Sequence, residues 1–151
     1  MTTNEKESTG KQLADLTFTL LANCQEKEQR LAEAHGLTQA EFRCLRLFGS
    51  SDSLNNKKIA ERMKLSPSRL TRIIDGLVNK EYMIREINSA DRRNMKVSLS
   101  KRGTLLVHQL NKAYVDIHEE ILTDIDVSMH EQLITAMTHL LSALEKWIAK
   151  S

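Results

Sequence analysis

Proline occurs once in this chain, at Pro67, and the aromatics make up only 4% of 151 residues. With 28% charged residues, that composition suits one mostly helical, water-soluble domain, long enough to bury a real core. No run of about 18 apolar residues occurs, so no transmembrane helix is expected. Met1 to Gly10 is polar and charged and lacks a signal-peptide core. The expected location is therefore cytoplasmic, with Cys24 and Cys44 as reduced thiols.

Chemistry-bearing patterns are equally sparse. There is no Gly-rich phosphate loop, no Ser or Cys nucleophile with a placed base, and no paired carboxylate, which excludes the common enzyme classes. No cofactor is expected. The histidines, His35, His108, His118, His130 and His139, include no pair three or four apart, so no two share a helix face as metal ligands would. Cys24 and Cys44 both lie among apolar helix positions, where a thiol behaves as a small inert hydrophobe. Redox sensing through either one is the alternative reading.

What the chain does have is charge asymmetry. Between Leu54 and Thr104 it carries 13 Lys/Arg against 5 Asp/Glu, net +8, although the whole chain is only +2. A basic block beside an acidic remainder points to a polyanionic partner for the block alone.

Inside that block the spacing predicts two helices. Asn55 to Leu65 forms a short amphipathic stretch with Ile59, Ala60 and Met63 on one face. Ser66-Pro67 then supplies an N-cap followed by proline at the first helical position. Leu70, Ile73, Ile74, Leu77 and Val78 give the second helix an apolar stripe, leaving Ser68, Arg69, Thr71 and Arg72 on its other faces. Two helices joined this tightly, the second basic at its start, read as a helix-turn-helix. Tyr82–Ile87 and Met95–Leu99 have strand character around the charged stretch Asn88–Asn94, which makes a β-hairpin. The fold class is thus mainly α, a winged helix-turn-helix with a small hairpin wing. Double-stranded DNA is the expected partner, and a winged helix that binds protein is the alternative.

The flanks are helical too. Leu13, Leu16, Leu20, Leu21, Cys24 and Leu31 line one face from about Lys11 to His35, and Gly36 stops the helix. Thr38-Gln39-Ala40-Glu41 is a capping box that opens a helix carrying Phe42, Leu45, Leu47 and Phe48. Gly49–Ser53 reads as a loop. Ser100 can cap a helix reaching about Leu122, and Ser128-Met129-His130-Glu131 reads as a second capping box before the last helix. That helix sets Leu133, Met137, Leu140, Leu144 and Trp147 at alternating steps of four and three. Apolar stripes of this length imply a partner surface, and a homodimer reading two half-sites fits best. The expected division is a DNA-binding core over residues 37–104, with dimerisation helices over 8–36 and 105–151.

The segment KKIAERMKLSPSRLTRIIDGLVNKEYMIRE, followed by DRRNMKVSLSKRG, resembles the multiple-antibiotic-resistance regulator (MarR) family of bacterial transcription factors. Asp91-Arg92-Arg93 and the Leu-Ser-Lys-Arg-Gly step after it are the most specific parts. The resemblance implies an intertwined homodimer on a pseudo-palindromic operator, released by small molecules, oxidants or metals, and more often a repressor. Ser68, Arg69, Thr71 and Arg72 lie where a recognition helix faces the major groove, where arginine can pair with guanine and hydroxyls with a base or phosphate, and the helix N-terminus capped by Ser66 favours a phosphate. Arg92 and Arg93 at the hairpin tip suit the minor groove, and the resemblance implies that Asp91 steadies the wing arginine, with Arg93 as the main contact; a local turn ion pair of Asp91 and Arg92 is the alternative. The same resemblance puts His35 near a small-molecule cavity. In the peroxide-sensing branch a reactive cysteine lies near the start of the first helix, and around Thr17 this chain has none. Lys57, Lys58 and Lys80 read as phosphate neighbours or solvated charges, and Gly76 as a point of close packing.

Overall fold

The first helix ends where its sequence says it should. In the computed structural model, which describes residues 3–48, 53–86 and 96–150, helix α1 runs Thr3–Ala34 and stops at Gly36 with φ +69°. The Leu37 N–H donates to the Ala32 carbonyl at 2.9 Å and the Gly36 N–H to Glu33 at 3.1 Å, the pair of bonds that closes a Schellman cap. The helix begins earlier than the apolar stripe, since polar Thr3–Gly10 continues the same ladder.

Thr38 then caps α2 (Gln39–Arg46) with both halves of the box formed: Glu41 N–H donates to Thr38 Oγ1 at 3.1 Å, and Thr38 N–H to Glu41 Oε1 at 2.8 Å. Phe42, Cys44, Leu45 and Phe48 are fully buried. The Glu28 carboxylate fastens α1 to α2 by accepting from Arg43 Nε at 2.8 Å and Gln39 Nε2 at 3.1 Å. Partial burial opposes its ionised form, but those two donors outweigh it and hold its pKa below the ordinary value.

Ser53, expected in a loop, instead begins a three-residue strand, β1 (Ser53–Asn55), too short to leave a periodic signal. Helix α3 (Asn56–Met63) follows, capped by the Asn55 side chain on Lys58 N–H at 2.8 Å. Lys64 takes the left-handed conformation (φ 54°) that ends it. Helix α4 (Pro67–Asn79) is capped by Ser66 and buries Leu70, Ile74 and Leu77. Strands β2 (Met83–Glu86) and β3 (Lys96–Leu99) complete an antiparallel sheet in the order β1-β3-β2, with Leu54 opposite Val97 and Met83 opposite Leu99. The fold is a winged helix-turn-helix.

Helix α5 (Lys101–Leu122) starts on Ser100, whose hydroxyl accepts from Gly103 N–H at 2.9 Å and donates to the Glu81 carbonyl at 2.6 Å. A Cβ at Gly103 would overlap the Tyr82 carbonyl oxygen. Backbone cannot swing aside as a side chain can, so Gly103→Ala is expected to cost ~1–3 kcal/mol, as overpacking does. At roughly 2–4 °C per kcal/mol for a chain of this size, its melting temperature should fall by about 5 °C. An unchanged melting curve would mean that the helix start relaxes freely.

The chain divides into two compact units, Met1–Asn111 and Lys112–Ser151. In the second, a 3-10 turn (Val127–Met129) precedes α6 (His130–Ala149), so Ser128 lies inside the turn and forms no side-chain cap, contrary to the expected capping box. The His130 ring closes this junction in another way, with its Nε2–H pointing at the carbonyls of Leu122 (3.1 Å) and Ile125 (2.8 Å). Helix α6 has no buried residue, and Trp147 is 68% exposed.

Candidate nucleic-acid interface

Burial of Leu70, Ile74 and Leu77, at steps of four and three, fixes which way α4 faces. Ser68 and Arg72, one turn apart, lie on the opposite face and are exposed, as are Arg69 and Thr71 on its flanks. Ser66 Oγ accepts from Arg69 N–H at 3.4 Å and lies 3.3 Å from Ser68 Oγ. The Thr71 hydroxyl donates to the Pro67 carbonyl at 2.9 Å, which leaves its oxygen lone pairs and its methyl group facing outward. The helix front thus presents two arginines, hydroxyl groups and the Ser68 N–H of the first turn, a set suited to phosphate and base edges.

Ion pairing sorts the basic block. Among the described residues, Arg69 and Arg72 have no carboxylate partner, nor do Lys57, Lys58, Arg62 and Lys64 around α3, and all six are exposed. Three other cations are engaged within the fold. Arg85 pairs with Asp75, Arg102 with Glu81 at 3.2 Å, and Lys80 with Glu41 at 2.6 Å. Arg102 also lies over the Tyr82 ring, 5.1 Å from its centroid. Lys80 is therefore not the loose phosphate neighbour that its sequence context suggests. Asp91, Arg92 and Arg93, the expected wing-tip residues, lie outside the described residues.

The remaining candidates are placed as follows. The His35 Nδ1–H donates to the Leu31 carbonyl at 2.9 Å, so one ring nitrogen finishes α1. No three His, Cys, Asp or Glu side chains cluster among the described residues. Cys24 is half-buried with Lys27 Nζ 3.8 Å from its sulfur, a cation one helical turn away that the apolar stripe around the cysteine obscures in the sequence. Cys44 is wholly buried, and desolvation, with a smaller push from the Glu41 charge, drives its thiol up to about 12. Iodoacetamide should consequently leave Cys44 unmodified in the folded protein up to about pH 9, and react with it once denaturant is added. Rapid alkylation of native Cys44, read by mass spectrometry, would refute that placement.

Comparison with known proteins agrees with this geometry. The MarR family model matches residues 37–95. The transcriptional regulator SarZ of Staphylococcus epidermidis is 28% identical over 127 residues, covering 84% of this chain and 83% of its own. A Staphylococcus aureus MarR structure, in complex with salicylate and kanamycin, has a TM-score of 0.80 at 14% identity, with 94% and 96% of the two chains covered. The S. aureus MepR–DNA complex gives 0.68 at 18% identity, over 87% and 97%.

Proposed function

We propose that the chain is a MarR-family transcriptional regulator, a ligand-responsive repressor acting as a homodimer on a pseudo-palindromic operator. It is a DNA-binding regulator rather than an enzyme. The observation that carries the reading is the front of α4: Arg69 and Arg72 exposed and without carboxylate partners among the described residues, on a helix whose opposite face is locked into the core. Ser66, Ser68, Arg69, Thr71 and Arg72 are assigned to the major groove. The sequence motif alone assigns Arg92 and Arg93, with Asp91 beside them, to the minor groove. Residues 37–104 would form the DNA-binding core.

Dimerisation is supported by the apolar side chains that each unit leaves in water. Leu16 and Phe18 of α1 are 68% and 79% exposed, and along α6 Ile134, Met137, Leu141, Leu144 and Trp147 are all exposed. Surfaces of this kind mark interfaces. Residues 8–36 and 105–151 are assigned to the dimer, within a cytoplasmic protein; no described helix is long and apolar enough to cross a membrane. An effector would act beside His35 at the α1–α2 junction and alter the spacing of the two recognition helices.

In vitro selection from a random duplex pool tests the reading directly. Recovery of a two-fold symmetric sequence, bound by a species of twice the chain mass in sedimentation, is expected. Deleting the chain from Ser128 onward should give an aggregating or unfolded product. A soluble folded monomer from that truncation, or selection that enriches no sequence, would refute the proposal.

A further inference from the structure

Burial of Leu70, Ile74 and Leu77 fixes which face of α4 meets the core, but hydrophobic contact is non-directional and leaves small rotations about the helix axis loosely set. A polar contact on one flank supplies direction. The Glu41 side chain, only 4% exposed, reaches from α2 to α4, where its Oε2 occupies the space beside Gly76; a Cβ there would come within 2.5 Å of that oxygen. Its Oε1 accepts from Lys80 Nζ at 2.6 Å and from Thr38 N–H at 2.8 Å. Lys80 Nζ also donates to the Gly36 carbonyl at 3.0 Å. One carboxylate and one ammonium thus join the cap of α1, the first turn of α2 and the C-terminal half of α4. Arg69, Gly76 and Lys80 follow one another at seven and four residues, so they share a flank of α4. Turning the helix at Gly76 therefore turns its DNA-facing end by the same angle.

We propose that Glu41, keyed against Gly76 and clamped by Lys80, is a positioning residue that aims the recognition helix and so sets discrimination between the operator and other DNA. The inference rests on the DNA-binding reading above. It also gives the glycine in the middle of α4, which costs about 1 kcal/mol of helix stability against alanine, a purpose that close packing alone does not.

Two variants disturb the contact by different routes. Glu41→Gln keeps a glutamine that can still complete the capping box, and leaves a Lys80 that is already partly exposed free to reach water. It also removes a negative charge, so electrostatics alone would tighten binding to every duplex. Gly76→Ala changes no charge and displaces the carboxylate sterically. Both are to be titrated, with wild type, against the duplex recovered by in vitro selection and against a scrambled duplex at one salt concentration. Circular dichroism checks the fold.

Each variant is expected to lose about tenfold on the selected duplex relative to the scrambled one, the scale of one misplaced base contact, with Gly76→Ala unchanged on the scrambled duplex and Glu41→Gln unchanged or slightly tighter there. Because both changes act on one contact, the double variant should lose no more than the weaker-binding single. Selectivity retained by both singles would overturn the proposal, as would an equal loss on both duplexes. Variants unfolded at the assay temperature would overturn it as well, since a contact required for folding is not an aiming device. A wild type without preference between the duplexes would instead overturn the DNA-binding reading itself.

Discussion

Raising monovalent salt from about 50 to about 200 mM is expected to weaken DNA binding by roughly five orders of magnitude. Counterion release sets that scale, since each phosphate neutralised contributes ~0.9 to the slope of log affinity against log salt. About five phosphates per protomer, on the order of ten for a dimer, give a slope near −9 by that rule. The 13 Lys/Arg between Leu54 and Thr104 overstate what is free to contribute, since Lys80, Arg85 and Arg102 are held by Glu41, Asp75 and Glu81. The six exposed cations without a carboxylate partner among the described residues, from Lys57 to Arg72, suffice for five contacts without drawing on the engaged three. Fluorescence anisotropy over a salt series, at protein concentrations where the dimer persists, measures the slope. A nearly flat response would mean that the basic block is not a DNA footprint.

Free and engaged cations look alike in the sequence, whereas helix caps do not. The caps Thr38, Ser66 and Ser100 find their partners within three residues, so local spacing announces them, while Asn55 reads as part of the helix that it caps. The buried stripe of α4 follows from helical periodicity for the same reason. Ser128 shows the limit of such signals: it has the spacing of a capping box, yet the chain tightens into a 3-10 turn and His130 closes the carbonyls instead. Strand β1 escaped because its pairing with β3 lies more than forty residues away and spans three residues.

The candidate site divides along the same line. Exposure of Arg69 and Arg72 followed from their places opposite an apolar stripe. That Lys80 is spent on a glutamate 39 residues earlier, and that Gly76 makes room for the same carboxylate, depends on how α2 meets α4. No pattern within α4 contains that information. Likewise Gly103 stands out in the sequence only as the end of the Leu-Ser-Lys-Arg-Gly step, and the need for a glycine there appears once the Tyr82 carbonyl is placed against it.

Arg72→Ala is expected to weaken operator binding by about 1–3 kcal/mol per half-site, and by up to roughly twice that for a dimer reading two half-sites, while hardly affecting random DNA. Arg72 stands on the face of α4 opposite Leu70 and Ile74, in the second turn after the Ser66 cap, within the part of a recognition helix that reaches base edges. There a guanidinium can form two bonds to one guanine, a geometry that no other base offers. Arg93 serves as the contrast, because the minor groove offers shape and potential more than a base code. Arg93→Ala should therefore lower affinity for operator and random duplexes more evenly. The stability of the Arg72 variant should stay within about 0.5 kcal/mol of wild type, since its side chain is exposed and has no ion-pair partner among the described residues. Titration of both variants against the selected and a scrambled duplex at one fixed salt concentration separates the two roles. If Arg72→Ala lost equally on both duplexes, its guanidinium would be holding a phosphate, and the reading of bases would have to move to Arg69 or the hydroxyls beside it.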